Sequence, residues 1–491
     1  MRAVITPHRF SRSLRVPASK SHTIRRLLIA SMSDGISEID YPLDALDARS
    51  CVSVCRSLGA EIEEIRRPDA FCANPEDERG EKLVRWRVKG CGGALSPAAG
   101  RSKASQPSDL GVPAELCPQN PTDSWILGTE LDAGNSGTTL FFALAMAALG
   151  TEPLCFTGDK QTGRRSAAPL LNALTGLGVS VRSGRNGCIP ISIQGPWKGG
   201  RVSLPCPTSQ YLSALLLAAP LAPAGTVTEI DVPLLNERPY IEMTLSYLDS
   251  LGIAYDREDD FSYFRIPGGA SYAPINGPVP GDFSSAALSA CAAAVSGGET
   301  ALFGLDPEDT QGDKEVFNLL KKMGCEVRWN EVPRETGDQE GGTELQGREW
   351  KLELSMNGPL KAVEADLNAT PDILPVMAAS ACYAKGETGL VNIAHARIKE
   401  TDRIAVMAAE LRKLGAVVEE LSDGLVIQGR SGSGIPPLRG GKVHGHGDHR
   451  VVMALAAAAL GADGPVEIDT AESAAVTYPG FLEQLEANIL E

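Results

Sequence analysis

The 491-residue chain is acidic and poor in aromatic side chains, with a formal net charge of -16 at pH 7 and 5% Phe, Trp and Tyr. This composition argues against a nucleic-acid-binding surface, and any anionic ligand must be held by a local cluster of Lys and Arg. The 11 cysteines include no C-x-x-C pair and no apolar run is long enough to span a membrane, so we expect a cytoplasmic protein without a membrane segment.

The first predicted helix begins at an unusual cluster of hydroxyls and cations. In VPASKSHTIRRLLIAS (16–31), Lys20 and Arg25 stand where the positive end of the helix dipole disfavours cations. Serine and threonine caps are ordinary at this place, but two cations are unfavourable there unless an anion lies near them. The stretch therefore predicts one half of an anion site.

An apolar, Ala-rich helix followed by a turn and a short strand recurs six times along the chain. The copies are LLIASMSDGISEI (27–39), LFFALAMAALGTEPL (140–154), LSALLLAAPLAPAGTVTEI (212–230), ALSACAAAVSGGETALFG (287–304), LPVMAASACYAKGETGLVNI (374–393) and VVMALAAAALGADGPVEID (451–469). This self-similarity predicts a repeat-built α/β protein with buried helices and sheets outside them.

Five copies are followed by a second predicted helix that ends at a glycine before a strand-like run. These glycines are Gly59, Gly178, Gly252, Gly324 and Gly415. Glycine just past a helix end tolerates the positive φ that commonly terminates helices. Each unit is therefore predicted to run helix, strand, helix, strand, with a further strand near VRWRVKG (84–90) or CIPISIQG (188–195).

Polar stretches rich in Pro, Gly, Ser and charge interrupt this pattern. Those at about 66–83 and 94–128 are predicted to be inserted surface loops or disorder, and the stretch 331–350 is predicted to be a loop likewise. We expect none of the three to carry the chemistry.

Polar caps precede all six buried helices. Their sequences are SKSHTIRR, GNSGTT, PTSQY, GDFSS, NATPD and GDHR. One such start is an ordinary cap, but six on equivalent helices of a repeat fold are expected to converge on one or two clefts and form a preorganised anion site.

These motifs resemble those of the enolpyruvyl transferases, and among them the 3-phosphoshikimate 1-carboxyvinyltransferase (EPSP synthase) family. The resemblance rests on PASKSHTIR, GNSGTT, TGDKQTGRR, TSQYLSALLLAAPLAP, RPYIEMTL, IKETDRIAVMAAELRKLGA, and DHRVVMA before YPGF. It implies an α/β (α+β), two-domain enolpyruvyl transferase fold with six βαβαββ-like units, three per domain, and buried parallel helices. Domain one would comprise 1–18 and 280–491, and domain two 19–279.

The resemblance also implies an activity. The family transfers the enolpyruvyl group of phosphoenolpyruvate to the 5-hydroxyl of shikimate 3-phosphate and releases phosphate, in the shikimate pathway to chorismate and the aromatic amino acids. The implied partners are these two small molecules. We expect no cofactor, metal, nucleic acid or membrane partner, and a monomer.

The resemblance further implies residue roles. Asp372 would be the base for the 5-hydroxyl, Glu400 would handle the proton of the methylene carbon, and Lys20 would contact both substrates. The residues implied to hold shikimate 3-phosphate are Lys20, Ser21, Arg25, Thr208, Ser209, Gln210, Asp372 and Lys399. Those implied to hold phosphoenolpyruvate are Lys20, Asn135, Gly137, Arg165, Gln210, Arg403 and Arg450. Arginine suits this role because its planar fork pairs with a carboxylate or phosphate through two hydrogen bonds.

The charges of the implied site and its substrates balance. At about -1.5 to -2 for each phosphate, the two substrates together carry about five to six negative charges. Six cations stand against them, namely Lys20, Arg25, Arg165, Lys399, Arg403 and Arg450. This balance explains how an acidic protein can bind two anions.

Four positions depart from the family pattern and leave alternatives open. Phe141 replaces a cation, Glu237 replaces a serine that contacts phosphate, His395 stands near the place of an asparagine, and Val476 replaces a lysine. A carboxylate at Glu237 would repel a phosphate unless it were turned away or protonated. The alternatives are a non-catalytic or altered-specificity relative, and a UDP-N-acetylglucosamine enolpyruvyl transferase, which would show Lys-Asn in place of Lys20-Ser21.

HGHGDHR (444–450) also matches the H-x-H-x-D-H pattern of zinc hydrolases. That type of site needs a further histidine downstream, and none follows His449. We therefore expect no metal here.

Overall fold

The computed structural model describes residues 1–68, 81–95, 128–333 and 348–490. The chain divides into two compact units. Unit 1 comprises Met1–Ser19 and Pro280–Glu491, and unit 2 comprises Lys20–Val279.

The described residues of unit 2 form three four-stranded sheets with one common topology. In strand order, the sheets are Gly277–Pro278, Ile36–Asp40, Glu81–Lys89 and Glu61–Pro68; Thr129–Asp132, Leu154–Thr157, Ile191–Gln194 and Ser180–Ser183; and Gly200–Ser203, Val227–Asp231, Tyr263–Pro267 and Asp256–Arg257. In each sheet the first pair of strands is parallel and the next two pairs are antiparallel. The sheets are therefore copies of one repeated unit.

Unit 1 has the same topology three times over. Its sheets, in strand order, are Ser11–Arg15, Glu299–Phe303, Arg348–Met356 and Cys325–Pro333; Leu360–Lys361 with Glu364–Asp366, Ala384–Val391, Gly424–Arg430 and Val417–Leu421; and Gly441–Val443, Val466–Asp469, Arg2–Ile5 and Asn488–Leu490. Each again begins with parallel pairing and continues antiparallel. The N-terminal strand Arg2–Ile5 thus completes the sheet of the last repeat.

The six apolar helices lie inside these sheets, as predicted. They are Lys20–Met32, Gly137–Ala147 and Gln210–Ala218 in unit 2, and Phe283–Ser296, Leu374–Ala381 and His449–Ala459 in unit 1. Every residue of Gly137–Ala147 and of His449–Ala459 is buried. Because these helices are apolar on all sides, only a position surrounded by other elements removes their surface from water. The predicted fold class is confirmed.

The second helices follow the predicted pattern as well. They are Leu46–Ser57, Ala168–Gly176, Arg238–Ser250, Glu315–Lys322 and Arg403–Lys413, with a short helix Phe481–Gln484 in the last repeat. The five predicted glycines, Gly59, Gly178, Gly252, Gly324 and Gly415, all have positive φ, between 67° and 113°. Short 3₁₀ helices lie at Thr162–Arg164, Arg185–Gly187, Ala219–Leu221, Gly312–Lys314, Pro371–Ile373, Ala394–Ile398 and Ala471–Val476.

Two of the predicted loops, 66–83 and 331–350, are too long, because the residues at their ends belong to strands. Strands Glu61–Pro68 and Glu81–Lys89 pair antiparallel and include both ends of the predicted loop 66–83. Strands Cys325–Pro333 and Arg348–Met356 also pair antiparallel, and they include both ends of the predicted loop 331–350. Charged residues on a hairpin with an exposed face lack the apolar alternation that would have revealed these strands. The loop predictions for 69–80, 96–127 and 334–347 lie outside the described residues.

Candidate active site

The predicted site residues fall into two groups, one in each unit. Unit 2 holds Lys20, Ser21, Arg25, Asn135, Gly137, Arg165, Thr208, Ser209 and Gln210, and unit 1 holds Asp372, Lys399, Glu400, Arg403 and Arg450. Most lie in the first turn of a helix or in the few residues before it, where unpaired backbone N–H groups favour anions.

In unit 1, Arg403 lies among three carboxylates at the start of its helix and is only 1% exposed. Its Nη1 donates to Asp372 Oδ1 at 2.7 Å, its Nη2 to Glu400 Oε2 at 2.6 Å and its Nε to Asp448 Oδ2 at 2.9 Å. Burial alone would lower the pKa of Arg403, but the carboxylates of Asp448, Glu400 and Asp372 raise it well above its usual value. A permanently charged guanidinium therefore orients both predicted catalytic carboxyls.

Asp448 is a buried carboxylate of the same cluster that the sequence analysis did not single out as a site residue. Its Oδ1 accepts from the backbone N–H of Arg450 at 2.9 Å, so it caps the helix His449–Ala459, and Thr401 Oγ1 donates to its Oδ2 at 3.0 Å. Burial raises its pKa, but the charge and hydrogen bond of Arg403, together with His449, bring the pKa below its ordinary value. The GDHR motif indicated the cap, but nothing in the sequence indicated the ion pair with Arg403.

Arg450 carries donors that the described protein leaves unused. The residue is 2% exposed, and its Nη2 donates to Asp372 Oδ2 at 3.4 Å. Its Nε and Nη1 are buried and have no hydrogen-bond partner within the described part of the chain. Leaving a buried donor unsatisfied costs about 1–3 kcal/mol. Two such donors on one guanidinium fit the paired oxygens of a carboxylate or phosphate.

A further buried carboxyl, Asp313, belongs to this half and was missed from the sequence. Ser284 Oγ donates to its Oδ2, whereas its Oδ1 is buried with no partner among the described residues. Burial, followed by the charge of Asp372, raises the pKa of Asp313 to about 7, and Arg450 opposes this shift. The pair Gly312-Asp313 before a helix is an ordinary cap pattern, so the sequence did not indicate that Asp313 is a buried carboxyl near Arg450.

Lys399 directly precedes Glu400 and follows the 3₁₀ helix Ala394–Ile398, which also contains His395. Lys399 is half-buried and His395 is buried. The structure thus brings Asp372, Glu400, Arg403 and Arg450 into one hydrogen-bonded cluster and places Lys399 next to it in the chain.

In unit 2, the two cations at the start of the first helix have different surroundings. Lys20 Nζ lies 3.3 Å from Asp47 Oδ2, and both side chains are largely buried. Arg25 Nε donates to Thr244 Oγ1 at 2.9 Å, and its Nη1 donates to the backbone oxygen of Ser21 at 3.1 Å. Asp47 is, after Asp448 and Asp313, a third carboxylate that the sequence did not indicate as part of the site.

Arg25 is a buried cation held by neutral groups. Its Nη2 donates to Ser213 Oγ at 3.3 Å and to the Tyr240 carbonyl oxygen at 3.1 Å, and it lies over the Phe142 ring. Burial lowers the pKa of Arg25 to about 10. No carboxylate pairs with it in the portion of the chain that the structure describes. A buried cation without a counter-charge favours the binding of an anion.

Arg165 lies against the start of the helix Gly137–Ala147. A Cβ on Gly137 would come within 2.1 Å of Arg165 Nη1, so a glycine is needed for this close approach. Asn135 Nδ2 donates to Asp159 Oδ2 at 2.5 Å and to Gln161 Oε1 at 2.8 Å, which fixes the loop before Arg165. The structure therefore brings Asn135, Gly137 and Arg165 together.

Thr208, Ser209 and Gln210 surround the start of the helix Gln210–Ala218. Gln210 Nε2 donates to Thr138 Oγ1 at 3.1 Å. The hydroxyls of Thr208 and Ser209 both donate to the carboxylate of Glu237. Glu237 is therefore turned towards these predicted phosphate contacts and not away from them.

The other departures from the family pattern lie in packed surroundings. Phe141 is buried and meets Tyr211 edge to face, with the ring centroids 5.1 Å apart. Val476 is a buried residue at the end of the 3₁₀ helix Ala471–Val476. Neither position offers a cation.

The histidines of HGHGDHR have carboxylate partners. His444 Nδ1 lies 2.5 Å from Asp469 Oδ1, and His446 Nε2 lies 2.9 Å from Glu410 Oε1. Across the four described ranges, no group of three or more His, Cys, Asp or Glu side chains is arranged to hold a metal ion. Within those same ranges, every helix is too short or too polar to cross a membrane.

Comparison with known proteins decides the family. A family model described as EPSP synthase (3-phosphoshikimate 1-carboxyvinyltransferase) matches residues 4–104 and 119–485. The chain belongs to the EPSP synthase family. It is 44% identical over 476 residues to the 3-phosphoshikimate 1-carboxyvinyltransferase of Acetivibrio thermocellus, which covers 97% of this chain and 95% of that relative. It is 35% identical to the enzyme of the same name from Halobacterium salinarum, across 99% of this chain and 98% of the relative.

Solved structures agree with this assignment. An EPSP synthase from Acinetobacter baumannii matches with a TM-score of 0.72 at 25% identity, covering 99% of this chain and 97% of that one. The enolpyruvyl transferase NikO from Streptomyces tendae shares the fold, with a TM-score of 0.67 at 17% identity over 99% of this chain and 98% of its own. The predicted family and enzyme class are confirmed, and the main prediction is supported over both alternatives.

Proposed function

We propose that the chain transfers the enolpyruvyl group of phosphoenolpyruvate to the 5-hydroxyl of shikimate 3-phosphate, using the residues predicted from the sequence. Units 1 and 2 are then the two predicted domains. The observation that carries the proposal is the Arg403 cluster, in which one buried guanidinium holds the two carboxyls required as base and acid, Asp372 and Glu400.

Arg450 is the anchor for phosphoenolpyruvate in unit 1. Its Nε and Nη1 lack partners in the described residues and donate to two oxygens of the incoming anion. Its Nη2 stays on Asp372, so the bound anion lies beside the proposed base. In unit 2, Arg165 with Gly137 and Asn135 contributes to the same ligand, and Arg25 with Lys20, Ser21, Thr208, Ser209 and Gln210 holds shikimate 3-phosphate.

Asp372 and Glu400 share the proton transfers. Asp372 accepts the proton of the 5-hydroxyl as its oxygen attacks the central carbon of phosphoenolpyruvate, while Glu400 gives a proton to the methylene carbon. Glu400 then takes a proton back from the resulting methyl group as phosphate leaves with the proton held by Asp372, which restores the double bond and both carboxyls. Both arginines donate to Asp372, whereas Arg403 alone of the two donates to Glu400. Two carboxyls in different surroundings can serve as base and acid in one reaction.

The proposed partners are the two small-molecule substrates. We also predict that the enzyme is monomeric, cytoplasmic and independent of any cofactor or metal. Gel filtration tests the oligomeric state, and an activity assay after treatment with a chelator tests the independence from metal.

The test of the function is phosphate release from phosphoenolpyruvate with shikimate 3-phosphate as acceptor. UDP-N-acetylglucosamine serves as the alternative acceptor, and protein carrying Glu400→Gln serves as the control for contaminating phosphatase. We expect release with shikimate 3-phosphate only. Release with the UDP sugar, or equal release by the Glu400→Gln variant, would contradict the proposal.

A further inference from the structure

Glu237 occupies a ready-made anion site within unit 2. Its Oε2 accepts from Ser209 Oγ at 2.7 Å, from the backbone N–H of Ser209 at 3.0 Å and from Thr208 Oγ1 at 3.2 Å. The residue is only 1% exposed, so water does not replace these bonds. A single carboxylate oxygen thus takes three donors at the start of the buried helix Gln210–Ala218.

These donors are of the kind that hold a phosphate. A helix start offers backbone N–H groups and the positive end of the dipole, and hydroxyls add further donors. Thr208 and Ser209 are also two of the residues assigned above to shikimate 3-phosphate. The carboxylate of Glu237 therefore lies on donors that the substrate requires.

The backbone supports this position of the carboxylate. Glu237 has φ 60° and ψ 41°, in the left-handed region, immediately before the helix Arg238–Ser250. A non-glycine residue is strained in this conformation, because its Cβ lies too close to the backbone. The conformation directs the side chain to Thr208 and Ser209, and three hydrogen bonds to a charged group offset that strain.

We propose that Glu237 is a specificity-determining residue that occupies the 3-phosphate subsite and sets the affinity for shikimate 3-phosphate. This inference rests on the proposed function. A carboxylate and a phosphate cannot share the same donors in a buried site, because like charges repel strongly where the dielectric constant is low. Shikimate 3-phosphate then binds only when the Glu237 carboxylate leaves Thr208 and Ser209, and its affinity is reduced accordingly.

The test is calorimetric titration of wild type, Glu237→Ser and Glu237→Gln with shikimate 3-phosphate and with unphosphorylated shikimate. Serine removes both the charge and the occupant, whereas glutamine removes only the charge. The matched control is Glu242→Ser, because Glu242 is on the same helix but is exposed and pairs with Arg238 at 3.1 Å. A contact from hydroxyl or N–H donors to a charged group contributes roughly 1.5–3 kcal/mol.

We expect Glu237→Ser to bind shikimate 3-phosphate about 10- to 100-fold more tightly than wild type, with Glu237→Gln changed in the same direction by less. Affinity for shikimate should change less than about twofold in both variants, and Glu242→Ser should behave as wild type. Weaker or unchanged binding of shikimate 3-phosphate by both Glu237 variants would overturn the proposal. So would an equal gain in affinity for shikimate, because the effect would then not concern the phosphate.

Two further measurements keep this result separate from the proposed function. Wild-type turnover with phosphoenolpyruvate and shikimate 3-phosphate tests the function alone. Inorganic phosphate, titrated into the same proteins, tests the subsite without the rest of the substrate. If wild type shows no turnover but Glu237→Ser gains affinity for inorganic phosphate, the proposed reaction fails and the occupied subsite stands. Glu237→Gln keeps the size of the side chain and serves where thermal denaturation shows that Glu237→Ser does not fold.

Discussion

The two units place their predicted site residues at the helix starts of the same repeat but surround them with different side chains. In unit 1, two arginines lie among the carboxyls of Asp372, Glu400, Asp448 and Asp313. In unit 2, Arg25 lies among hydroxyls and carbonyls, while Asp47 pairs with Lys20, Glu237 accepts from Thr208 and Ser209, and Asp159 accepts from Asn135. Carboxyls beside fixed cations suit proton transfer, and cations among neutral donors suit the holding of an anion.

This difference changes the charge balance expected from the sequence. The charge balance drawn from the sequence counts only cations, and it therefore treats Arg403 and Arg450 as both available to phosphoenolpyruvate. In the structure, Arg403 already serves Asp372, Glu400 and Asp448, so its main role is to orient protein carboxyls. The three carboxylates outnumber the two arginines, so within the described part of unit 1 the guanidinium with donors left for an anion is that of Arg450.

The largest expected effect tests whether unit 1 performs the proton transfers. Asp372→Asn and Glu400→Gln should each lower kcat by at least about 100-fold, because general acid and base groups contribute roughly 10²- to 10⁴-fold. The control is Glu353→Gln, since Glu353 lies on the strand Arg348–Met356 of the same unit and pairs with Lys351 there. Steady-state kinetics measures kcat, and circular dichroism shows whether the variants are folded. A near-normal kcat in both variants would remove these carboxyls from the mechanism.

The next prediction compares the two buried arginines. Arg403→Met should lower the free energy of unfolding by about 3–5 kcal/mol, because it leaves the buried carboxylate of Asp448 without its cation. Arg25→Met should cost less, since Thr244 and Ser213 keep their own hydrogen bond of 3.0 Å when Arg25 is removed. Urea denaturation of both variants measures the difference, and equal losses would show that the units do not differ as described.

The sequence predicted the repeat, the buried helices and the polar helix starts because these depend on local patterns of apolar residues, glycines and caps. The glycine after each second helix is an example, since positive φ is a local requirement that Gly178 and Gly415 meet. The family motifs also named Asp372, Glu400, Arg403 and Arg450, which the structure brings into one hydrogen-bonded cluster.

The sequence did not show which donors the protein itself uses. Asp448 pairs with Arg403 across 45 residues of the chain, and Asp313 senses the charge of Arg450 from a remote part of the sequence, so both interactions depend on tertiary packing. The contact of Glu237 with Ser209 likewise joins two separate helix starts. The sequence also did not show that the strands of the hairpin extend into 66–68 and 81–83. Exposed, charged strands lack the alternation of apolar residues that would indicate a strand.

The buried acid of unit 1 gives a pH-dependent prediction. The pKa of Asp313 is raised to about 7, so the folded state favours its protonated form, and this contribution to stability is complete below pH 4 and lost as the pH rises through about 7. Asp313→Asn cannot ionise, so its melting temperature relative to wild type should rise by about 4 °C or more between pH 5 and pH 8, the interval in which wild type loses most of this contribution.

The control for this prediction comes from unit 2. Asp231 is an exposed carboxylate whose pKa is lowered by its hydrogen bond to Arg201. It stays ionised at both pH values, so Asp231→Asn should change the melting temperature equally at pH 5 and pH 8. A gain for Asp313→Asn that did not depend on pH would show that Asp313 does not hold a proton in the folded protein.

The smallest expected effect concerns the close approach of Arg165 to Gly137 in unit 2. In Gly137→Ala, the new Cβ would lie 2.1 Å from Arg165 Nη1, and the end of that flexible side chain must move. Stability should hardly change, but the displaced guanidinium should raise the KM for phosphoenolpyruvate about 4- to 13-fold, because losing about half of a charge-assisted contact of 1.5–3 kcal/mol corresponds to that range. The control is Gly389→Ala in unit 1, where the added Cβ meets only Glu364 Cγ at 3.6 Å. If Gly137→Ala leaves the KM for phosphoenolpyruvate within twofold of wild type, Arg165 does not bind this substrate from its position beside Gly137, and the anion-holding role given to unit 2 rests on Arg25 and Lys20 alone.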